Sequence, residues 1–532
     1  MHPRTARRIH VQKASRQEGE GGGIMSEPIP QLESVSVDGL PDQYRADWET
    51  MLTQWQRKLT RNRLRAAYYN GANRIKNLGI AVPDTMIDFD EVVGWPAKAV
   101  DVLANRIRFD GFVTTGDEID PLGLDRLLRE SDFASILLQA TRSALIHSCS
   151  FVNVAGGRGQ PISVFFRSAL YETGIWDDAA HALRCALAIV SLTVDSVNTG
   201  MARPRELVLY EPDETLRIRL SAGRYEVMER IPNTLGHVPV YVLAYHQDLH
   251  RPFGRSRINR EVMSLTDTAV RTMLRMEVSA EFYSSPQRYL LGAEPPVGAD
   301  GKALTGWMAS LSKMLVINRD EDGQLPSIGQ FAQMTMAPHT DMLRALAGRF
   351  SGATGVPMAQ LGVMTDSGPS SADAIAASET ELVIEARNTC EAFGAQLCKA
   401  ASDMAILNGT SPGDEALNHL KVNWRDPERP SQAAVADAVL KIVQAIPWTA
   451  NSRVILEKLQ FSDTDITRLL SDKNRQNAAA VLDRLVNMNA ASQPANQPAD
   501  GGGDDGQQPD TGPQGRGQTR QGAAGGGESG QA

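Results

Sequence analysis

The 532-residue chain holds only four cysteines (Cys149, Cys185, Cys390 and Cys398), and none belongs to a CxxC pair. That is too few and too scattered for a disulfide scaffold, so a reducing compartment is expected. Cys390 and Cys398 fall eight residues apart on one predicted helix, about 12 Å along its axis, which is beyond disulfide reach. No apolar run approaches the roughly 18 residues of a membrane span. Aromatic residues are sparse at 6%, and the formal net charge is −9. A body without basic excess argues against a protein that grips DNA; an acidic wall repels phosphate and lets DNA pass without sticking.

Signatures of catalysis are also missing. There is no GxxxxGK[ST] loop, no GxGxxG after a strand and no GxSxG elbow. Gly156–Pro161 (GGRGQP) joins two β-rich runs and reads as a hairpin turn. His246 and His250 have i,i+4 spacing, but Pro252 and Gly254 follow, so the segment reads as loop and no metal site is assigned. Carboxylate pairs such as Asp463/Asp465 lie near helix starts, where capping explains them. No catalytic residue, cofactor or metal is therefore expected.

What is present is a sharp change of texture along the chain. Residues 1–24 are basic and then glycine-rich, Met25 is a second plausible start, and residues 1–40 are expected to be disordered. Apolar residues at helical spacing begin near Trp48 (Met51, Leu52, Trp55, Leu59) and stop at Asn70-Gly71. A basic cluster on that helix, Arg57, Lys58, Arg61, Arg63 and Arg65, reads first as a solvated face and second as a partner or phosphate contact. Pro96 opens another helix. Short β-rich runs then dominate to about residue 250, with turns at Glu211-Pro212-Asp213 and Ala222-Gly223. Residues 41–257 thus predict an α+β region.

Residues 258–285 contain no glycine or proline. Ile258, Val262, Leu265, Ala269, Met273, Met276 and Ala280 make one apolar stripe, while Arg260, Asp267, Arg271 and Arg275 share another face. A turn-rich excursion over 286–336 precedes a second helix at 337–352. A loop at 353–371, rich in glycine, proline and serine, then leads into a helix from Ala372 to about Leu407. The segment 437–489 is again helical. Beyond Ala490 the composition is Gly, Gln, Pro and Asp, which predicts disorder.

Four stretches occur in order within this pattern: LRAAYYNGANRI (64–75), NTLGHVPVYVL (233–243) with FGRSRIN (253–259), GVPMAQLG…SSADAI (355–375), and VNWRDPERPSQAAVADAV (422–439). Together they resemble the portal proteins of long-tailed, siphovirus-type bacteriophages. The resemblance implies a ring, generally of about twelve subunits, at one vertex of the capsid in the virion, assembled in the bacterial host cytoplasm. Double-stranded DNA would enter through it, driven by the terminase large subunit, and would leave by the same route. The other implied partners are the major capsid protein, scaffold and a head-to-tail adaptor.

In this fold the α+β region is the wing, 258–285 and 337–352 are stem helices, 286–336 is the clip and 437–489 the crown; 372–436 holds the long wing helix and its return. The resemblance makes 353–371 the tunnel loop, with Met364, Thr365, Asp366 and Ser367 at the channel. Gly and Pro allow movement, and Asp366 is the one charge, so the loop touches phosphate without clamping it. Arg260, Arg271 and Arg275 become stem residues facing either the channel or a neighbouring subunit's acids, and Trp307, Lys313 and Arg319 become clip candidates for partner contact. The other readings are a non-catalytic helical oligomeric adaptor or scaffold, which would form closed assemblies without a channel, and a nucleic-acid enzyme, whose carboxylate cluster for magnesium is not visible.

Overall fold

A mostly helical start gives way to a run of strands and then to long helices, and the computed structural model describes residues 36–73, 91–114, 120–157, 160–194, 202–284, 288–291, 327–330, 335–363, 372–428 and 432–491. The chain divides into two units, Met1–Pro430 and Ser431–Ala532. Among the described residues, no helix is long and apolar enough to cross a membrane.

The first unit opens with β1 (Val37–Asp38) and α1 (Asp42–Tyr69), followed by α2 (Trp95–Ala104), β2 (Phe109–Val113), α3 (Leu124–Glu130) and α4 (Phe133–His147). Eight strands follow: β3 (Cys149–Gly157), β4 (Gln160–Ser168), β5 (Glu172–Asp177), β6 (Ala182–Val194), β7 (Ala202–Tyr210), β8 (Glu214–Ser221), β9 (Arg224–Pro232) and β10 (Val240–Ala244). Then come α5 (Arg260–Ser284), the short pair β11 (Arg288–Leu291) and β12 (Ser327–Gln330), and α6 (Ala337–Thr354). A 3-10 turn (Met358–Leu361), α7 (Ala372–Leu407), α8 (Glu415–Asn418) and β13 (Lys421–Trp424) complete the described part of the unit.

A six-stranded sheet in the order β1-β9-β8-β7-β6-β5 carries α1 on one face. The apolar face of α1 (Trp48, Met51, Leu52, Trp55, Leu59) packs on Leu187, Leu207, Leu209, Leu216 and Ile218, and the Trp55 indole donates to the Leu170 carbonyl at 2.9 Å. A three-stranded sheet, β10-β3-β4, packs through Phe151, Val240 and Val242 against Ala186 and Ala188. Its other side meets α4 and α7, where Phe133 stacks edge-on with Phe112 and Phe166. Strand β2 pairs with β13, although the two are some 300 residues apart in sequence, with Phe112 opposite Val422.

Several elements differ from the sequence reading. Folded chain reaches back to Val37, which pairs in parallel with Tyr225 and is buried with Leu40 in the α1 cluster; a two-residue strand is too short to carry a readable pattern. The helix expected over 258–285 starts at Arg260, because Asn259 caps it: its Oδ1 accepts from the Val262 amide at 2.9 Å. The apolar stripe is buried from Ile258 through Ala269, then opens to partial exposure at Met273 and Met276 and to full exposure at Ala280. Helix α6 runs to Thr354, and Met358–Leu361 adopts a 3-10 turn where irregular chain was expected. The GGRGQP turn is a hairpin, with Gly157 paired to Gln160.

The second unit is helical: α9 (Gln432–Ala445), a 3-10 turn (Pro447–Asn451), α10 (Arg453–Lys458) and α11 (Asp463–Ala491). Ser462 caps α11 by accepting from the Asp465 amide at 3.2 Å while donating to the Asp465 carboxylate at 2.6 Å. Few of its apolar side chains are buried; Trp448 is 76% and Leu482 61% exposed.

Candidate functional site at the helix junction

The FGRSRIN motif lies where α5 begins and α6 ends. In FGRSRIN, Gly254 has φ +65°, and a Cβ there would lie 2.1 Å from the Tyr245 carbonyl oxygen, so only glycine fits. The Arg255 amide donates to that same oxygen at 2.7 Å, and its guanidinium pairs with Asp248 at 2.6 Å. Ser256 Oγ donates to the Ile146 carbonyl at 2.5 Å and accepts from the Ile258 amide at 3.0 Å, which fixes the chain as it enters α5.

Arg257 is the centre of the junction. Its Nε donates to the Ala99 carbonyl of α2 at 2.7 Å, and Nη2 donates to the Thr354 carbonyl at the end of α6 at 2.5 Å. Its Nη1 donates to Tyr245 Oη at 2.9 Å and to Glu385 of α7, and Tyr245 Oη donates in turn to Glu385. His246 Nε2 lies 3.5 Å from the same carboxylate. Burial alone would push Glu385 up; hydrogen bonds from His246, Tyr245 and Arg257, with the arginine charge, instead hold it down at about 2. For Arg257, burial works against its charge and is outweighed by Tyr245 and Glu385, so its pKa is raised.

Because Arg257, three residues before α5, bonds the carbonyl of the last residue of α6, the start of α5 lies beside the end of α6 and the two helices form an antiparallel hairpin rooted here. At about 1.5 Å per residue, the 25 residues of α5 extend about 37 Å from that root. Burial is strongest near the root (Val262, Leu265, Phe350, Ala347) and fades along both helices. Tyr68 of the LRAAYYNG stretch donates to Asp267 at 2.8 Å, which ties α1 to the hairpin.

Helix α7 is the spine to which the remaining motifs attach. In NTLGHVPV, Asn233 Nδ2 donates to the carbonyls of Pro212 and His237 at 2.9 and 2.6 Å, and its Oδ1 accepts from the Leu235 amide at 3.0 Å. His237 Nε2 then reaches Asp403 of α7 at 3.0 Å, and Tyr241 Oη donates to the same carboxylate. The hydrogen bond to Asp403 raises the His237 pKa, against the effect of burial. In GVPMAQLG, Val356 and Leu361 are buried, Trp95 Nε1 donates to the Leu361 carbonyl at 3.1 Å, and Gln360 donates to Glu379 at 3.1 Å. Glu379 also pairs with Arg106 at 2.6 Å, and Arg106 donates to the Pro427 carbonyl at 2.8 Å, which brings in VNWRDP.

Arg260 and Arg275 are exposed on α5 and Arg271 is half-buried. Met364, Thr365, Asp366 and Ser367 lie outside the described residues, as do Trp307, Lys313 and Arg319, residues 1–35 and residues 492–532. One group that sequence spacing did not suggest, Asp47, Cys185 and Glu211, gathers its ligand atoms within 4.8 Å. Asp47 is already paired with Arg184 at 2.5 Å, and burial pushes Glu211 up to about 7 and Cys185 up to about 12.

The side chains at this junction are spent on one another: buried arginines on carboxylates and carbonyls, a glycine on a close approach, helix ends on caps. Residues 49–478 match the family described as phage portal protein, SPP1 Gp6-like, and the chain belongs to that family. The resemblance carried by the four motifs is thereby borne out, and portal proteins are structural rather than catalytic. The portal protein of Mycobacterium phage L5 is 27% identical over 439 residues, covering 79% of this chain and 85% of its own length. That of Mycobacterium phage D29 is 26% identical over 441 residues, with the same shares covered. Among solved structures, the neck of a native GTA particle computed with C12 symmetry aligns with a TM-score of 0.37 and 14% identity, over 68% of this chain and 88% of that one.

Proposed function

We propose that this chain forms the portal ring at one vertex of a phage capsid, the conduit for genome packaging and ejection and the attachment point for head-completion and tail proteins. The observation that carries the reading is the family match across residues 49–478. The α5–α6 hairpin suits placement as the stem, since its half-exposed apolar residues Met273, Leu274 and Met276 would be covered by neighbouring copies packed around a common axis. The sheets with α1, α4 and α7 form the wing. The second unit forms the crown, and its exposed Trp448, Leu440 and Leu482 suit packing between copies. The 286–336 segment, with Trp307, Lys313 and Arg319, is the clip for the terminase large subunit and the head-to-tail adaptor.

On this reading Met364, Thr365, Asp366 and Ser367 belong to the tunnel loop, which follows the 3-10 turn held by Trp95 and Glu379. Arg260, Arg271 and Arg275 face the channel or bind a neighbour's acids. Capsid protein and scaffold surround the wing, duplex DNA passes without sequence preference, and the protein resides in the virion after assembly in the host cytoplasm. Negative-stain microscopy of the purified chain with mass photometry tests this. Hollow rings of about twelve subunits are expected; closed oligomers without a hole would favour the adaptor reading.

A further inference from the structure

Where α1 lies on the six-stranded sheet, three ligating side chains meet. Asp47 comes from the second turn of α1, Cys185 from β6, and Glu211 stands just past the end of β7. The antiparallel register brings the last two level: Ala186 faces Tyr210, so Cys185 and Glu211, one step further along, are cross-strand neighbours. Their ligand atoms and that of Asp47 all lie within 4.8 Å of one another. The group is enclosed at its base, where Cys185 is fully buried and its Sγ meets Met51 Sδ, one turn along α1 from Asp47, at 3.8 Å. Asp47 stands at the mouth, its side chain 24% exposed. Glu211 is 3% exposed, and its Oε1 is buried without a hydrogen-bond partner among the described residues. Buried carboxyl oxygens ordinarily find a donor, because one left unmatched has given up its hydration without return. Beside this one stand a second carboxylate and a thiol, a set better suited to holding a cation than to satisfying itself.

We infer that Asp47, Cys185 and Glu211 form a binding site for a tetrahedral, thiophilic dication of the Zn²⁺ class, which fastens α1 to the sheet. Three protein donors are too few for calcium, which takes six to eight oxygens, and a buried sulfur is the wrong ligand for magnesium. One thiolate and two carboxylates suit zinc and leave a fourth position for water on the Asp47 side. Zinc bonds of about 2.0–2.3 Å set neighbouring ligand atoms about 3.5 Å apart, so the three close in by about 1 Å on binding. Asp47 is free to make that move, because its pair with Arg184 is at the surface, where such pairs contribute little. As the ion binds, the Cys185 S–H bond breaks, its proton passes to solvent with any proton on Glu211, and a sulfur lone pair forms the metal bond. The filled site carries one negative charge, which the neighbouring Arg184 offsets. This inference does not rest on ring assembly.

The test is cadmium titration of the full chain, stripped with chelator and kept under a phosphine reductant, followed by near-ultraviolet sulfur-to-cadmium charge-transfer absorption. The band is expected to saturate at about one ion per chain, to be displaced by Zn²⁺ and to persist in millimolar Mg²⁺. Cys185→Ser should abolish it, whereas Cys398→Ser, at a half-buried cysteine of α7, should leave it intact. Glu211→Gln should weaken binding by about tenfold or more, since a lost ligand costs no less than the 10–100-fold of a lost outer partner. If far-UV circular dichroism shows that Cys185→Ser does not fold, Asp47→Asn at the mouth carries the same expectation as Glu211→Gln. Excess Zn²⁺ should also raise the thermal midpoint of wild type and not that of Glu211→Gln, because the ion binds the folded chain. Absence of the band from wild type, its survival in Cys185→Ser, or unchanged affinity in Glu211→Gln and Asp47→Asn would overturn the inference.

Discussion

Replacing Arg257 by methionine should be among the most damaging single changes in the first unit. The substitution keeps apolar volume but removes donors to the carbonyls of Ala99 and Thr354 and the cation beside Glu385. Glu385 sits at about 2 instead of 4.5, and at about 1.4 kcal/mol per pH unit that corresponds to about 3.5 kcal/mol. Its side chain is 18% exposed, so solvent screening trims this little. Tyr245 and His246 remain in the variant and retain part of that sum. Two stranded carbonyls add about 1–3 kcal/mol each where they find no water. The net expectation is about 3–5 kcal/mol, the range for breaking a buried ion pair.

The sign with pH follows from the direction of the shift. A carboxyl with a depressed folded pKa contributes stability above its unfolded value of about 4.5, and that contribution is lost as pH falls towards about 2. The deficit of Arg257→Met should therefore be full at pH 7 and narrow below pH about 4.5. Urea unfolding followed by tryptophan fluorescence measures it. The double variant Arg257→Met/Glu385→Leu should recover at least half of the loss, because neither charge is left stranded. A loss under about 1 kcal/mol, or a double variant as unstable as the sum of the singles, would refute the reasoning.

Three other outcomes follow from the same geometry. Gly254→Ala, with a Cβ placed against the Tyr245 carbonyl at positive φ, should cost more than about 2 kcal/mol in the same unfolding assay, although the residue touches no charge. Phe133→Ala, in the middle of the Phe109, Phe112 and Phe166 cluster, should cost about 3–5 kcal/mol and lower the thermal midpoint accordingly. Burial pushes Glu172 up to about 8, only partly offset by the Asn153 hydrogen bond and Arg167. A raised carboxyl favours folding while protonated, so between pH about 4.5 and 8 wild type should lose stability relative to Glu172→Gln by up to about 1.4 kcal/mol per pH unit.

Local pattern was legible where one element decides its own structure. Helices α5 and α7 were readable because neither glycine nor proline interrupts 258–285 and the 372–407 stretch is rich in helix formers, and α1 because Asn70-Gly71 stops it. The four motifs were legible as family marks but not as parts of one junction. Arg257 and Glu385 are 128 positions apart, and His237 and Asp403 are 166 apart; no local periodicity connects them. The β2–β13 pairing was hidden for the same reason. The basic run on α1 was read first as solvated surface, and Arg57, Lys58 and Arg61 are exposed; that Lys58, Arg61 and Arg65 also border a cleft with residues 251–260 was not readable. A helical wheel gives the face of these residues but not what that face meets.

An electron cryo-microscopy reconstruction of the assembled full-length chain is the most direct measurement. The ring reading predicts about twelve subunits, with α5 and α6 parallel to a central channel and the segment after Val363 at its narrowest point. A ring with the hairpin on its outer surface, or an assembly with no continuous channel, would contradict it.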